Sequence, residues 1–445
     1  MKNNIICSAS LFLISFALAS NPAPAAPCPA EQDSSIDPDK AARYFREAEE
    51  ISEADGGKLW GLELYGPMLF VDRNTRFLVA NRQNGSGTLR RHGDIFLGKL
   101  DEKISIANTS FRWHGEDWMM ILWESLSDDP YKRNRLIMHE LWHCVQSELG
   151  FPGVPSHNRH LNKMKGRFLL RMEWRALAHA LKSSGEKRRQ AAGDAVLFRR
   201  LRRHYFPGTD STENSFEMHE GLAEYTGQRL CGLPLDEIRK QLAGKLLSAP
   251  RKLSYVNSFA YNSGAAYGIL LDCIGADWRS GLAPGDDFGE ILENHYGIIV
   301  PAEIEPAARK RFPAYHGEEL LEEERELEKK RTARINRYRK MYVNGPVLVL
   351  PNAEMKLSYD PRRIYDLGEH GTVYAYAIAI ADWGKLTAEE GLLRSPDWSS
   401  ITVPAKLITG PEKKIIRGDG WTLELSSGWK INPSADGKTY KVSKE

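Results

Sequence analysis

The chain has 445 residues, of which 42% are hydrophobic and 27% are charged, and its formal net charge is +2 at pH 7. These values describe a globular protein long enough for two or three domains. The net charge is too close to zero to indicate a nucleic-acid partner, so the composition predicts none.

The first 25 residues have the pattern of a secretory signal peptide. A lysine at position 2 precedes an apolar stretch from Ile5 to Leu18, and small residues that suit cleavage follow it. The apolar stretch is shorter than the roughly 20 residues that a membrane-spanning helix needs. The sequence therefore predicts a periplasmic or extracellular protein without a membrane span.

Four cysteines lie beyond the predicted signal peptide: Cys28, Cys144, Cys231 and Cys273. This even number is compatible with two disulfides in an oxidising compartment, for which three connectivities exist. A bridge between Cys144 and Cys231 is one interpretation. The other is that Cys144 is a small buried residue without a bridge.

Residues 26–125 are predicted to form a helix followed by short strands. The stretch from Asp39 to Ser52 is amphipathic, and Asp72-Arg73-Asn74-Thr75 has the composition of a hairpin turn. The predicted strands are Met68–Val71, Phe77–Ala80, Ile104–Phe111 and Trp118–Trp123. They predict an antiparallel sheet. If Trp118–Trp123 forms its edge, an extended peptide could bind there by adding a strand.

The most informative motif lies within residues 126–315, where His139, Glu140 and His143 have the spacing His-Glu-x-x-His. The preceding Asp129-Pro130 pair suits the start of a helix, and no glycine or proline follows for several turns. Residues four apart on a helix lie on the same face. The two imidazoles are therefore expected to converge on one point.

Converging imidazoles of this kind are typical of a zinc site. A catalytic Zn²⁺ generally has three protein ligands and a fourth position open to water. Glu140 follows the first imidazole directly, where it could take a proton from that water. The sequence thus predicts His139 and His143 as metal ligands, Glu140 as the general base, and one Zn²⁺ per chain as the cofactor.

A third ligand is needed. The metzincin pattern would place glycine at position 146 and histidine at position 149, so Gln146 and Leu149 exclude it. The stretch from Phe216 to Gly227 contains Glu220-Gly221-Leu222-Ala223. It resembles the Asn-Glu-Gly-Phe-Ala motif of aminopeptidase N, a member of the gluzincin clan of zinc metallopeptidases, which also includes thermolysin. The resemblance implies that Glu220 is the third zinc ligand. It also implies that Glu224 orients a zinc-bound histidine through the second nitrogen of its ring.

The resemblance covers short motifs in about the middle third of the chain and departs from the family pattern in two ways. His219 stands where the family has asparagine. The interval between His143 and Glu220 is also longer, because residues 158–206 are predicted to add two or three helices. Those helices contain Glu173, which is an alternative third ligand.

Basic residues are concentrated on the same additional helices. Lys187-Arg188-Arg189, Arg199-Arg200 and Arg202-Arg203 all lie on helical sequence. We interpret them as a solvated helix face, and an anionic envelope polymer or acidic substrate is the alternative.

A further stretch, Tyr261-Asn262-Ser263-Gly264, resembles the Tyr-x-x-Gly element of aminopeptidase N relatives. The tyrosine of that element donates to the oxyanion that forms during hydrolysis, so the resemblance implies that Tyr261 is catalytic. Tyr255 and Tyr267 are nearby alternatives. The small residues after Tyr261 also suit close helix packing.

Residues 316–344 are rich in charge, acidic at the start and basic at the end, which suits one long helix between two domains. From 345 to 445, strand-like runs such as Thr372–Ile380 and Trp421–Leu425 alternate with turn signals. They predict an all-β module. Its tryptophans either pack in the core or hold an envelope ligand, and they are Trp383, Trp398, Trp421 and Trp429.

Together these elements predict an α+β fold: an antiparallel sheet, a mainly helical metallopeptidase-like catalytic region and a C-terminal all-β module. The predicted function is a secreted or periplasmic zinc-dependent peptidase with a peptide or protein substrate. Endopeptidase activity is favoured, because the sequence lacks the Gly-x-Met-x-Asn stretch with which the aminopeptidases hold a free amino terminus. The alternative is a non-catalytic, metal-stabilised envelope or binding protein, which predicts a closed site with four protein ligands.

Overall fold

The computed structural model describes residues 34–155, 157–249, 251–352, 354–360, 363–406 and 414–444. The predicted signal peptide and Cys28 lie outside the described residues. In the described part of the chain, no helix is both long enough and apolar enough to cross a membrane. The described residues divide into two compact units: residues 34–46 together with Pro67–Leu126, and Glu47–Gly66 together with the described residues from Ser127 onward.

The first unit contains a six-stranded sheet and the first half of helix α1 (Pro38–Asp55). The strands are β1 (Met68–Val71), β2 (Phe77–Ala80), β3 (Arg90–His92), β4 (Ile95–Lys99), β5 (Thr109–Trp113) and β6 (Glu116–Leu122), in the order β3-β4-β2-β1-β6-β5. The predicted hairpin of β1 and β2 is confirmed, with Leu69 opposite Ala80. Because β1 pairs with β6 in parallel, the sheet is mostly rather than wholly antiparallel.

Two predictions about this sheet are wrong. The run Trp118–Trp123 is not an edge strand, because β6 is bonded to β1 on one side and to β5 on the other. Its backbone groups are therefore not open to an added peptide strand. The strand predicted from Ile104 begins only at Thr109, since the Ile104 N–H closes a turn by donating to the carbonyl of Asp101 at 3.0 Å.

The second unit begins with helices that share one large apolar core. They are α2 (Pro130–Val145), α3 (Met164–Lys182), α4 (Gly185–Tyr205), α5 (Asp210–Phe216), α6 (Leu222–Leu230), α7 (Leu235–Leu247), α8 (Ala260–Asp272), α9 (Phe288–Tyr296), α10 (Ile304–Arg311) and α11 (Gly317–Tyr342). As predicted, α2 carries the His-Glu-x-x-His motif. The helices predicted between the two motifs are confirmed as α3 and α4.

The prediction of a solvated basic face on α4 is wrong for part of that helix. Arg199 and Arg202 are fully buried, and buried carboxylates from other segments neutralise them, chiefly Glu173, Glu213 and Glu217. Buried guanidinium groups are tolerated only when they have such partners. The ion network therefore ties α4 to α3 and to the chain around the second motif.

The long helix α11 contacts both the helical region and the strands that follow it. Near its start, Glu324 is fully buried and accepts hydrogen bonds from Arg167 and Arg171 of α3, each at 2.8 Å. Near its end, Tyr338 packs against Tyr365 of the C-terminal region with ring centroids 5.3 Å apart. The predicted charged helix is thus present, and α3 neutralises part of its acidic half.

The C-terminal region forms two sheets, and one apolar core joins their inner faces. The strands are β7 (Val347–Pro351), β8 (Lys356–Tyr359), β9 (Ile364–Asp366), β10 (Thr372–Tyr374), β11 (Ala377–Ala381), β12 (Gly384–Ala388), β13 (Leu392–Arg394), β14 (Ser400–Pro404), β15 (Ile415–Gly418), β16 (Trp421–Leu425), β17 (Trp429–Pro433) and β18 (Thr439–Lys444). Trp383 and Trp421 are buried in that core, whereas Trp398 is exposed. The single strand predicted over Thr372–Ile380 is divided, because β10 and β11 belong to different sheets.

Candidate metal centre

Helix α2 carries the two histidines, and its N-terminus is capped. The Asp129 carboxylate accepts hydrogen bonds from the N–H groups of Tyr131 at 3.0 Å and Lys132 at 3.3 Å, and Pro130 occupies the first turn. The predicted helix start is confirmed. The motif half of the helix is enclosed, with Ile137, Met138, Leu141 and Trp142 completely buried.

The side chains of His139, His143 and Glu220 converge into a group that could bind a metal ion. The Nε2 atoms of the imidazoles are 3.3 Å apart, and Oε2 of Glu220 lies 3.7 Å from the first and 3.5 Å from the second. Ligands bound at about 2.0–2.1 Å around a tetrahedral ion lie about 3.3–3.4 Å from one another, so the triangle has nearly the size of one face of a zinc site. Among the described residues, Oε2 of Glu220 is buried without a hydrogen-bond partner, which fits a cation at this place.

Glu220 reaches the group from an unusual turn. Residues Glu217–Gly221 form a π-helical turn between α5 and α6, and the three elements make one continuous helical run. The turn is closed by the N–H of Leu222, which donates to the carbonyl of Glu217, five residues back rather than four. Turns of this type are rare and frequently occur at functional sites.

Both imidazoles have an acceptor on the side away from the group. Nδ1 of His143 lies 3.0 Å from Oε1 of Gln146, and Nδ1 of His139 lies 3.5 Å from Oε2 of Glu224. The first is a hydrogen bond, whereas the second is an ion-pair contact without hydrogen-bond geometry. An acceptor at Nδ1 favours the proton on that nitrogen and leaves Nε2 free to bind a metal.

Glu224 is held in place by two basic side chains. Arg135 donates to its carboxylate at 2.8 Å, and Lys245 of α7 donates to it at 2.9 Å. Lys245 also lies 3.4 Å from the backbone carbonyl of Tyr261. The carboxylate next to His139 is thus fixed by residues that the sequence motifs did not indicate.

The two predicted catalytic residues, Glu140 and Tyr261, border the same group. Glu140 is buried, and burial raises its pKa. The ring of Tyr261 stacks on that of His139 with centroids 5.5 Å apart and planes 9° from parallel. Burial and the nearby carboxylate of Glu220 raise the pKa of Tyr261, so its hydroxyl keeps its proton. The alternative Tyr255 lies in the helical core instead.

Glu173, the alternative third ligand, is not part of this group. It is fully buried, and its carboxylate accepts from Tyr267 at 2.8 Å, from Arg199 at 3.4 Å and from Arg202. Because both of its oxygens already have charged or hydroxyl partners, they are not available to a cation beside the histidines. Tyr267, the other alternative to Tyr261, donates its hydroxyl proton to Glu173 and so belongs to the same buried network.

The disulfide predicted between the helices that carry the two motifs is not formed. Within the described part of the chain, no disulfide joins Cys144, Cys231 and Cys273. The Cys231 thiol donates to the carbonyl of Gln228 at 3.1 Å, and burial raises the pKa of both Cys231 and Cys273. Noncovalent packing therefore brings the two motifs together.

Glycines allow the helices of the site to approach closely. A Cβ atom at Gly227 of α6 would lie 2.4 Å from the carbonyl oxygen of Arg135 in α2. A Cβ atom at Gly264 of α8 would lie 2.4 Å from Cα of Gly221. Both distances are below van der Waals contact, so only glycine fits at these positions. The absence of these two methyl groups lets α6 lie directly against α2, and lets the π turn at Gly221 lie directly against α8.

The charges of the group are strongly coupled. Burial lowers the pKa of His139, but the carboxylates of Glu220 and Glu224 outweigh this effect and raise the pKa to about 9. Burial also opposes ionisation of Glu220, yet the two imidazoles hold the pKa of that carboxyl below its usual range. The metal-free site therefore carries a proton on His139 at neutral pH, and a bound cation must displace it.

We expect metal affinity to rise about tenfold for each pH unit up to about pH 9 and then to level off, because ligation requires a neutral imidazole. The folded pKa of His139 lies above its ordinary value of 6.5. Protonation thus stabilises the metal-free fold fully below pH 6.5, and this contribution is lost as the pH rises to about 9. Zinc calorimetry in buffers of different ionisation enthalpy should detect about one proton released per ion near neutral pH.

The control for this prediction is the same titration above pH 9, where His139 is already neutral and no longer contributes a proton to the release. An affinity that stays constant between pH 7 and pH 9 would contradict the assigned protonation of His139.

Comparison of the chain with protein-family models, with curated proteins and with solved structures finds no match. The resemblance to gluzincins therefore stays a prediction.

Proposed function

We propose that the protein is a zinc-dependent endopeptidase of the gluzincin type that acts in the periplasm or outside the cell. The observation that carries this proposal is the triangle of ligand atoms from His139, His143 and Glu220, with the buried carboxylate of Glu140 interacting electrostatically with all three residues. The signal-peptide pattern of the first 25 residues supports the location.

Zinc suits this donor set better than calcium or magnesium. Two imidazole nitrogens and one carboxylate oxygen are a ligand set of known catalytic zinc sites. Calcium and magnesium prefer oxygen donors. Three protein ligands also leave one position of a tetrahedral ion open to water, as hydrolysis requires.

When bound, Zn²⁺ would lower the pKa of a water molecule and polarise the peptide carbonyl. Glu140 accepts a proton from the attacking water and transfers it to the leaving amine. Tyr261 retains its proton at neutral pH and donates a hydrogen bond to the oxyanion that develops on the carbonyl. Gln146 and Glu224 keep the imidazoles oriented throughout.

The second candidate function is a non-catalytic protein whose metal ion is structural, and a fourth protein ligand would favour it. His219 is the candidate for that ligand. Its ring centroid is 5.0 Å from that of His143, and its buried Nδ1 lies 3.7 Å from Oε1 of Glu220 with no hydrogen-bond partner among the described residues. His219 is not a member of the converging group, which favours the open, catalytic site.

The proposal is tested by stripping the protein with a chelator, refilling it with zinc and following the cleavage of casein and of a peptide library. Hydrolysis should stop on stripping and return with one equivalent of Zn²⁺. Hydrolysis that survives complete metal removal would contradict the proposal. Zinc-loaded protein that cleaves nothing would favour the structural role, and His219→Ala would then weaken zinc binding.

A further inference from the structure

The π turn that carries Glu220 also carries a second buried carboxylate, that of Glu217. The guanidinium group of Arg199 in α4 donates hydrogen bonds to both oxygens of this carboxylate, at 3.0 and 2.5 Å. Both side chains are almost completely buried. Asp287 and Asn214 fix the guanidinium group further, at 3.0 and 3.2 Å.

The turn separates two carboxylates that an α-helix would place on neighbouring positions of one face. Residues three apart on an α-helix lie close together on its surface. Because the π turn holds more residues per turn than an α-helix, residues three apart within it lie farther from each other around the axis. Consequently Glu217 is directed to Arg199, while Glu220 is directed to the histidines of α2.

We infer that Arg199 and Glu217 are positioning residues for the metal centre. Their buried ion pair stabilises the π turn and thereby directs the carboxylate of Glu220 toward His139 and His143. The inference rests on the metal centre of the proposed function. Without the ion pair, the turn can relax toward the ordinary α-helical bonding pattern. Relaxation would rotate Glu220 away from the two imidazoles, and the third ligand would be lost although Glu220 itself is unchanged.

The matched control for Glu217 lies one turn earlier. Glu213 of α5 is also fully buried and accepts from Arg202 at 2.7 and 2.9 Å, and its Oε1 lies 2.6 Å from Nε2 of His160. It therefore belongs to the same buried network but lies outside the π turn. Glu213→Gln and Glu217→Gln each remove one buried negative charge without changing the size of the side chain.

The experiment compares zinc affinity, measured by competition with a chelating dye, and the absorption spectrum of the Co²⁺-loaded protein, in full-length wild type and both variants. Glu217→Gln should weaken zinc binding by about 10- to 100-fold, as loss of groups that orient metal ligands commonly does, and should change the cobalt spectrum. Glu213→Gln should keep the affinity and spectrum of the wild type even if it melts earlier. Thermal unfolding of the metal-free proteins measures the general loss of stability separately.

Arg199→Lys provides a second variant in case Glu217→Gln does not fold. Lysine keeps the charge but cannot make two parallel hydrogen bonds to the carboxylate, so it should shift affinity and spectrum in the same direction. Wild-type affinity and spectrum in the folded variants would overturn the inference. So would an equal loss of affinity in Glu213→Gln, which would show a general effect of destabilisation.

Failure of the underlying metal centre would be visible in the wild type, as a lack of stoichiometric uptake, and would overturn the inference too. Metal uptake without any peptide cleavage would remove the peptidase proposal but leave this inference intact.

Discussion

Glu140→Gln is expected to lower peptide hydrolysis by about 10²- to 10⁴-fold, the usual contribution of a general base. The substitution replaces one carboxylate oxygen with an amide and keeps the size of the side chain. Glu140 is not a member of the metal-binding group, so zinc content should be unchanged. Because burial disfavours its ionised form, the variant should be at least as stable as the wild type.

Glu148→Gln is the matched control, since Glu148 is an exposed carboxylate shortly after the end of α2. It should leave both hydrolysis and zinc content unchanged. The measurement combines turnover of a cleaved peptide with metal analysis of the same preparation. Full activity in Glu140→Gln would remove the assigned mechanism, and loss of zinc from it would show that Glu140 acts as a ligand.

Gly264→Ala is expected to destabilise the protein by about 1–3 kcal/mol or more, the range for overpacked positions. The new Cβ atom would lie 2.4 Å from Cα and 3.0 Å from the carbonyl carbon of Gly221, which are backbone atoms that cannot rotate away. The helix-favouring effect of alanine, about 1 kcal/mol, opposes this change but does not remove the overlap. Helix α8 and the π turn must move apart, and Tyr261 moves with α8.

Gly244→Ala is the control for this substitution. Gly244 also lies inside a helix, α7, but nothing lies within 4 Å of the position that its Cβ would take. This variant should gain about 0.4–1 kcal/mol, because alanine restricts the unfolded chain more than glycine does. Urea unfolding of the two variants measures the difference, and equal stability would contradict the close contact of α8 with the π turn at Gly221.

The histidine pair could be predicted from sequence because its geometry is local. Residues four apart on one helix share a face whatever the rest of the chain does, and Asp129 and Pro130 marked the start of that helix. The same rule indicates Gln146, three residues after His143 on the same face, as the partner of its Nδ1. The sequence therefore contains the signal for this hydrogen bond.

The choice between Glu220 and Glu173 depended on contacts between distant segments. Both residues lie in the chain between α2 and α8, and no local pattern separates them. The structure separates them because Arg199 and Arg202 donate hydrogen bonds to the carboxylate of Glu173, whereas the sequence pattern predicts that these arginines are solvated. A charged helix has the same composition whether its partners are water or buried carboxylates from elsewhere in the chain.

The fold shows the same division between local and distant information. The hairpin of β1 and β2 is encoded by two apolar runs around one turn, and it was predicted with its correct bounds. The parallel pairing of β1 with β6 joins segments separated by most of the sheet, so no local pattern indicates that Trp118–Trp123 is an internal strand. Lys245, 21 residues from Glu224, likewise reaches its partner only through the packing of α7.

X-ray absorption at the zinc edge of wild-type protein loaded with one equivalent of metal would examine the proposed centre itself. We expect one ion per chain, bound by two imidazole nitrogens, one carboxylate oxygen and one oxygen from water, at about 2.0–2.2 Å. Failure to take up zinc in stoichiometric amount, a sulfur ligand from a cysteine, or a shell with a third imidazole and no water would contradict the account.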